Sequence, residues 1–179
     1  SMERITLQDK SFRTYIPYQE IDKAIEQVAA ALNRDLRNED KPVFIGILNG
    51  SFMFAADLMK KINLNCVVTF VKLASYSGTC STGKVRELVG LGTDITDRTV
   101  VVVEDVVDSG KTIEKLVEDL KKRNPRQIKI CTLLFKPDAY QGKIPIDYVC
   151  IKIPNDFVVG YGLDYNDLGR QFKDLYVID

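Results

Sequence analysis

Apolar positions recur along this chain in two rhythms, and their succession predicts a layered α/β sheet. Ile21, Ala24, Ile25, Val28, Ala29, Leu32 and Leu36 share one face of a helix over about 18–38, which Lys41-Pro42 breaks. Val43-Phe44-Ile45-Gly46-Ile47-Leu48 follows as an apolar run of strand length. Asn49-Gly50-Ser51 then turns into a second helix reaching about Ile62, with Ser51 predicted as its N-cap. Val67 to Leu73 predicts another strand. Residues 74–84 are small and polar and predict a loop, from which Val85 to Leu91 returns as a strand.

Four consecutive valines, Val100 to Val103, predict a strand buried on both faces, as in a parallel sheet covered by helices. Ile113, Leu116, Val117 and Leu120 predict a helix that Asn124-Pro125 stops, and Ile128 to Phe135 a strand ended by Lys136-Pro137. Shorter strands are expected near Tyr148–Ile151, Phe157–Val159 and Tyr176–Ile178. The fold class is therefore α/β, a three-layer parallel sheet with a small lobe built from the terminal segments. No repeat or linker divides residues 1–179, which read as a single domain.

Composition narrows the chemistry. Lys+Arg and Asp+Glu both number 25, and the longest basic cluster, Lys121-Lys122-Arg123, ends a predicted helix, where cations suit the dipole. Nucleic acid is not an expected partner. The chain has no histidine, so Ser-His-Asp and Cys-His catalysis and His-based metal sites are excluded. Cys66, Cys80, Cys131 and Cys150 have no CxxC spacing and read as free thiols, with Cys80 in an exposed polar loop. No leader or spanning run appears in these residues, so no membrane partner is expected and the expected compartment is the cytoplasm.

The valine strand delivers Glu104-Asp105-x-x-Asp108 and then Ser109-Gly110-Lys111-Thr112 at the start of a helix. Taken singly, such acids can be solvated, with Asp108 capping the helix. Together, three carboxylates and a helix N-terminus beyond a doubly buried strand suit a sugar phosphate: the acids for hydroxyls or Mg²⁺, the turn for phosphate. Gly110-Lys111-Thr112 imitates the tail of a Walker loop, but position 105 is Asp where that motif needs Gly. Gly90-x-Gly92 and Gly160-x-Gly162 lack the third glycine of a dinucleotide fingerprint.

From Val100 to Thr112 the chain resembles the diphosphate-sugar signature of the purine and pyrimidine phosphoribosyltransferases: four apolar residues, two acids, two apolar residues, then Asp-[Ser/Thr]-[Gly/Ala]-x-Thr. Gly46 to Phe52 is similar to the diphosphate turn of the hypoxanthine-guanine phosphoribosyltransferase family, and Ser75-Tyr76 to the start of its closing lid. Leu134-Phe135-Lys136 and Ile153 to Asn166 resemble its base-binding segments, with Arg170 at the family's spacing. The likeness runs from about residue 5 to 178.

That resemblance implies a phosphoribosyltransferase fold with a hood from the terminal segments. It implies transfer of a phosphoribosyl group from 5-phosphoribosyl 1-diphosphate to N9 of a 6-oxopurine, with Mg²⁺ as cofactor and a homodimer or homotetramer as the assembly. It implies that Asp108 handles the purine proton, that Glu104 and Asp105 hold ribose hydroxyls and metal, and that Ser109, Gly110, Lys111 and Thr112 cradle the 5′-phosphate. Asn49, Gly50, Ser75 and Tyr76 would meet the diphosphate, Lys136 the purine O6, Phe157 its face and Val158 its C2 edge. Asp164 would hold a second Mg²⁺, beside Arg170. The family often carries Lys where this chain has Asn49, so a positive charge and any subunit contact made by it are lost; the family's turn often holds a non-proline cis peptide, expected here at Leu48-Asn49. Two alternatives remain at this point: a non-catalytic regulator that senses phosphoribosyl diphosphate, and a transferase preferring xanthine.

Overall fold

The computed structural model describes residues 3–77 and 84–179, without the side chains of 75–77 and 84–87. Cys80, the centre of the 74–86 lid and the side chains of Ser75 and Tyr76 lie outside the described residues. In chain order the elements are β1 (Arg4–Leu7), β2 (Lys10–Ile16), α1 (Tyr18–Asp35), β3 (Val43–Leu48), α2 (Phe52–Met59), β4 (Val67–Ser77) and β5 (Lys84–Val89). They continue with β6 (Thr99–Val107), α3 (Lys111–Lys121), β7 (Gln127–Phe135), β8 (Tyr148–Lys152), β9 (Val158–Val159) and β10 (Leu175–Ile178).

Six strands form one sheet in the order β5-β4-β3-β6-β7-β8. The valine strand lies inside it, and its side chains alternate between two cores as a pleated strand requires. Val101 and Val103 join the core that holds Ile25 and Leu32 of α1 and Phe54 and Leu58 of α2. Val100 and Val102 join the core that holds Ile113, Leu116 and Leu120 of α3. Helices therefore cover both faces. The sheet is parallel except at β5, which pairs antiparallel with β4.

The differences from the periodicity are local. β4 runs on to Ser77, because Ala74 to Ser77 pair with Lys84 to Glu87; an edge ladder is made by backbone and tolerates small polar side chains. Helix α1 stops at Asp35, with Leu36 as its buried C-cap. Helix α2 stops at Met59, where Lys61 and Ile62 donate to carbonyls three residues back and tighten the last turn. Ser51 is not a side-chain cap: its backbone is helical (φ −86°, ψ 0°), and its Oγ is buried with no hydrogen-bond partner among the described residues.

The terminal segments form a second, antiparallel sheet, β1-β2-β10-β9, around Leu7, Phe12, Val159 and Tyr176. Cys66, Cys131 and Cys150 are free; Cys131 is buried and the other two half-buried. Among the described residues no helix is long and apolar enough to cross a membrane.

Candidate active site

The site is assembled by strand register. In the parallel pair β6·β7, Val107 lies opposite Phe135, so the next residue of each strand, Asp108 and Lys136, emerges beside the other. The Lys136 N–H donates to the Val107 carbonyl at 3.1 Å, and Lys136 Nζ lies 3.3 Å from Asp108 Oδ2. Lys136 is buried, while the Asp108 side chain is half exposed. Upstream, Glu104 is buried and its Oε1 accepts the Asp105 N–H at 3.2 Å; Asp105 Oδ1 accepts the Val106 N–H at 2.7 Å. The strand's own amides thus orient the first two acids.

Beyond Asp108 the chain turns at Gly110, whose φ of 96° is open to glycine without penalty, and enters α3. Asp108 is not the cap, and α3 has no side-chain capping bond. Ser109 Oγ accepts the Lys111 N–H at 3.4 Å, and Ser109 O accepts the Gln141 N–H at 3.0 Å. The Tyr140 ring lies under Gly110, where an added Cβ would come within 2.5 Å of it. Tyr140 thus buttresses the turn, a contact that no pattern in the sequence marks. The result is a helix N-terminus aimed at a cavity, the usual arrangement for a phosphate.

The turn after β3 approaches from the other side. Its Leu48–Asn49 peptide is cis. A Cβ at Gly50 would lie 1.9 Å from Asp105 Oδ2, and one at Gly162 would lie 2.3 Å from the Gly50 carbonyl. The turn is therefore packed between an acid of β6 and the segment carrying Asp164. Arg170 spans that segment, with Nη1 donating to Gly162 O at 2.7 Å and Nη2 3.2 Å from Asp164 Oδ1. Asp164 Oδ2 accepts the Asp167 N–H at 2.8 Å. Phe157 is 43% exposed, edge-on to Tyr165 at 5.8 Å, with its carbonyl tied to the Ile178 N–H at 3.1 Å.

Two cavities adjoin along one wall. One, of about 230 Å³, is lined by Glu104, Asp105, Asp108, Ser109, Gly110 and Thr112. The other, of about 210 Å³, is lined by Asp105, Asp108, Lys136, Phe157, Val158 and Asp164. Asp105, Val106 and Asp108 face both. Asn49, Gly50, Lys111 and Arg170 line neither; Gly50 touches Asp105, and Arg170 pairs with Asp164. A larger cavity of about 560 Å³ lies at the far end of α3 and β7 and holds none of the acids.

Among the described residues no three His, Cys, Asp or Glu side chains are grouped to hold a metal. A Mg²⁺ bound together with a phosphate substrate takes one or two carboxylates and fills its shell with water and phosphate oxygens. Glu104 and Asp105 at one cavity, and Asp105 and Asp164 at the other, are such all-oxygen donors.

Residues 17–166 match the phosphoribosyl transferase domain. The chain is 39% identical over 157 residues to the hypoxanthine phosphoribosyltransferase of Buchnera aphidicola subsp. Schizaphis graminum, covering 87% of this chain and 89% of that one. It is 41% identical over 162 residues to the hypoxanthine-guanine phosphoribosyltransferase of Mycobacterium bovis, covering 90% and 77%. Among solved structures, a hypoxanthine-guanine phosphoribosyltransferase of Bacillus anthracis superposes with a TM-score of 0.84 at 32% identity, over 93% of this chain and 98% of that one. With its fold, its acidic strand end and these likenesses in agreement, the chain belongs to the phosphoribosyl transferase family.

Proposed function

We propose that this chain is a purine-salvage enzyme that moves the phosphoribosyl group of 5-phosphoribosyl 1-diphosphate onto N9 of hypoxanthine or guanine, forming IMP or GMP and releasing diphosphate. One observation carries the reading: Asp105 and Asp108 form a wall common to two cavities, one ending on the α3 N-terminus and the other on Lys136 and Phe157. A 5′-phosphate at the first and a purine at the second bring the anomeric carbon to the acids. The relatives are named as enzymes, which gives the sensing regulator no support.

Bond breaking ahead of bond making places positive charge on the ribose and negative charge on the leaving diphosphate, so the site must position and stabilise charge. Glu104 and Asp105 hold the ribose hydroxyls. Asp108 takes or shares the purine N7 proton, the role of a positioned base in a chain without histidine. Lys136, 3.3 Å from Asp108, turns its ammonium to O6. That group only donates, so it accepts a 6-oxopurine and rejects the amino group of adenine. Phe157 offers its exposed face for stacking, and Val158 its backbone to the C2 edge. Asn49 and Gly50 hold the diphosphate, and Ser75 and Tyr76 close over it. Glu104 and Asp105 would hold one Mg²⁺ and Asp164, paired with Arg170, a second, and the metal would supply charge neutralisation for the leaving diphosphate.

Residues 1–179 act as one domain in this reading, the second sheet serving as hood. The assembly is a homodimer or homotetramer, and the free thiols suit the reducing cytoplasm. Diphosphate release with hypoxanthine, guanine, xanthine and adenine, each with and without Mg²⁺, tests the proposal. The first two bases should turn over, only with Mg²⁺. Adenine used as well as hypoxanthine would overturn the role of Lys136, and no turnover with any base would overturn the reaction.

A further inference from the structure

Tyr161 is almost fully buried, and the proposed reaction leaves its hydroxyl without a role. Its backbone sits at φ 48°, between Gly160 at 97° and Gly162 at 98°. Glycine adopts such angles freely, but a tyrosine there persists only where the surroundings over-determine it. Here the Tyr161 N–H donates to Phe172 O at 2.7 Å, the Gly162 N–H to Arg170 O at 2.9 Å, and Gly162 abuts the Gly50 carbonyl.

The side chain makes a further tie. Tyr161 O–H donates to Asp57 Oδ2, and Asp57 Oδ1 takes Lys60 Nζ at 2.9 Å. Asp57 belongs to α2, the helix into which the diphosphate turn opens. Burial first, and then the Asp57 carboxylate, push the phenol far above its ordinary value, so it stays a donor at any assay pH. Residue 161 thus reaches α2, residue 162 touches the turn, and residue 164 lines the second cavity together with Asp105. The base end of the same segment is tied down separately: Val158 and Val159 pair with β10, and Phe157 O takes the Ile178 N–H.

We infer that Tyr161 and Asp57 are a positioning pair that sets the diphosphate turn, Asn49–Gly50, against Asp164, and so governs affinity for 5-phosphoribosyl 1-diphosphate without governing affinity for the base. The inference rests on the proposed reaction and deepens it.

Tyr161→Phe removes the bond and keeps the ring. Calorimetric titration with 5-phosphoribosyl 1-diphosphate and Mg²⁺ should give about tenfold weaker binding, the loss expected for one hydrogen bond to a charged partner. The KM for hypoxanthine should stay at its unmodified level. Asp57→Asn, which still offers an acceptor to the phenol, should bind 5-phosphoribosyl 1-diphosphate like the unmodified chain, whereas Asp57→Leu should reproduce the loss and supplies the same comparison from the other side of the bond. Unchanged diphosphate-sugar affinity in folded Tyr161→Phe and Asp57→Leu, or equal weakening toward both substrates, would overturn the pair's role. Failure of the underlying reaction would appear elsewhere, as an unmodified chain with no affinity for 5-phosphoribosyl 1-diphosphate.

Discussion

Asp108 and Lys136 are separated by 28 residues in sequence and by 3.3 Å in space, and parallel pairing of β6 with β7 is what joins them. In the proposed reaction the carboxylate moves a proton that the transition state needs, while the phosphate and ribose contacts lie elsewhere on the same wall. Asp108→Asn should therefore reduce turnover by about 100-fold or more, the usual worth of a positioned acid–base group. Its affinity for 5-phosphoribosyl 1-diphosphate, measured by calorimetry, should stay close to that of the unmodified chain; equal losses in both would refute the proton-transfer role. These residues were legible because Glu104 to Thr112 are consecutive, so one motif carries their chemistry. Tyr140 and Tyr161 were not, since neither shows its contact until the fold brings Gly110 against one ring and Asp57 to the other's hydroxyl.

The elements meet at glycines. At Gly50 an alanine methyl would meet the end of the Asp105 side chain, which can swing aside, so Gly50→Ala should leave Tm nearly unchanged and weaken 5-phosphoribosyl 1-diphosphate binding. At Gly162 the obstacle is the Gly50 carbonyl, and φ is 98°, so Gly162→Ala should cost stability as well, about 1–3 kcal/mol from the left-handed backbone alone. Calorimetric Tm alongside binding separates the two; a Gly162→Ala variant as stable as the parent would contradict this packing. Most elements could be read from periodicity. The valine strand and the α3 face were plain because each side chain's burial follows its spacing. The reach of β4 to Ser77 was not, because an edge ladder is set by backbone pairing with β5 while composition there resembles a loop. Nor were β1 and β2 marked as strands: β1 pairs with β2, the β10 partner of β2 lies more than 150 residues away, and Arg, Lys, Ser and Thr interrupt the apolar positions of both.

At the scale of the molecule, carboxylates bind distant segments together, among them Asp35, Glu39 and Asp179. Asp35 accepts from Tyr148 of β8, Glu39 from Thr99 of β6, and Asp179 from Ser11 of β2. These bonds, first among their causes, hold the three carboxyls below the ordinary values of 3.8, 4.5 and 3.8. A carboxyl depressed in the folded state stabilises it above its unfolded value and loses that contribution as pH falls through the folded one. Tm should therefore be flat near neutrality and fall once pH drops below the ordinary carboxylate range. Asp35→Asn combined with Asp179→Asn should lower Tm at neutral pH and make the acid fall shallower; an unchanged acid profile would contradict these links. The six-stranded sheet brings the acids, the Ser109–Gly110 turn and Lys136 to one end, and the second sheet carries Phe157 and Val158 to the same place, so the proposed reaction is a single transfer between two adjoining cavities. The most direct test mixes the chain with 5-phosphoribosyl 1-diphosphate, hypoxanthine and Mg²⁺ and follows nucleotide and diphosphate together. IMP formed mole for mole with diphosphate is the predicted result; diphosphate released without nucleotide, or neither product, would contradict it.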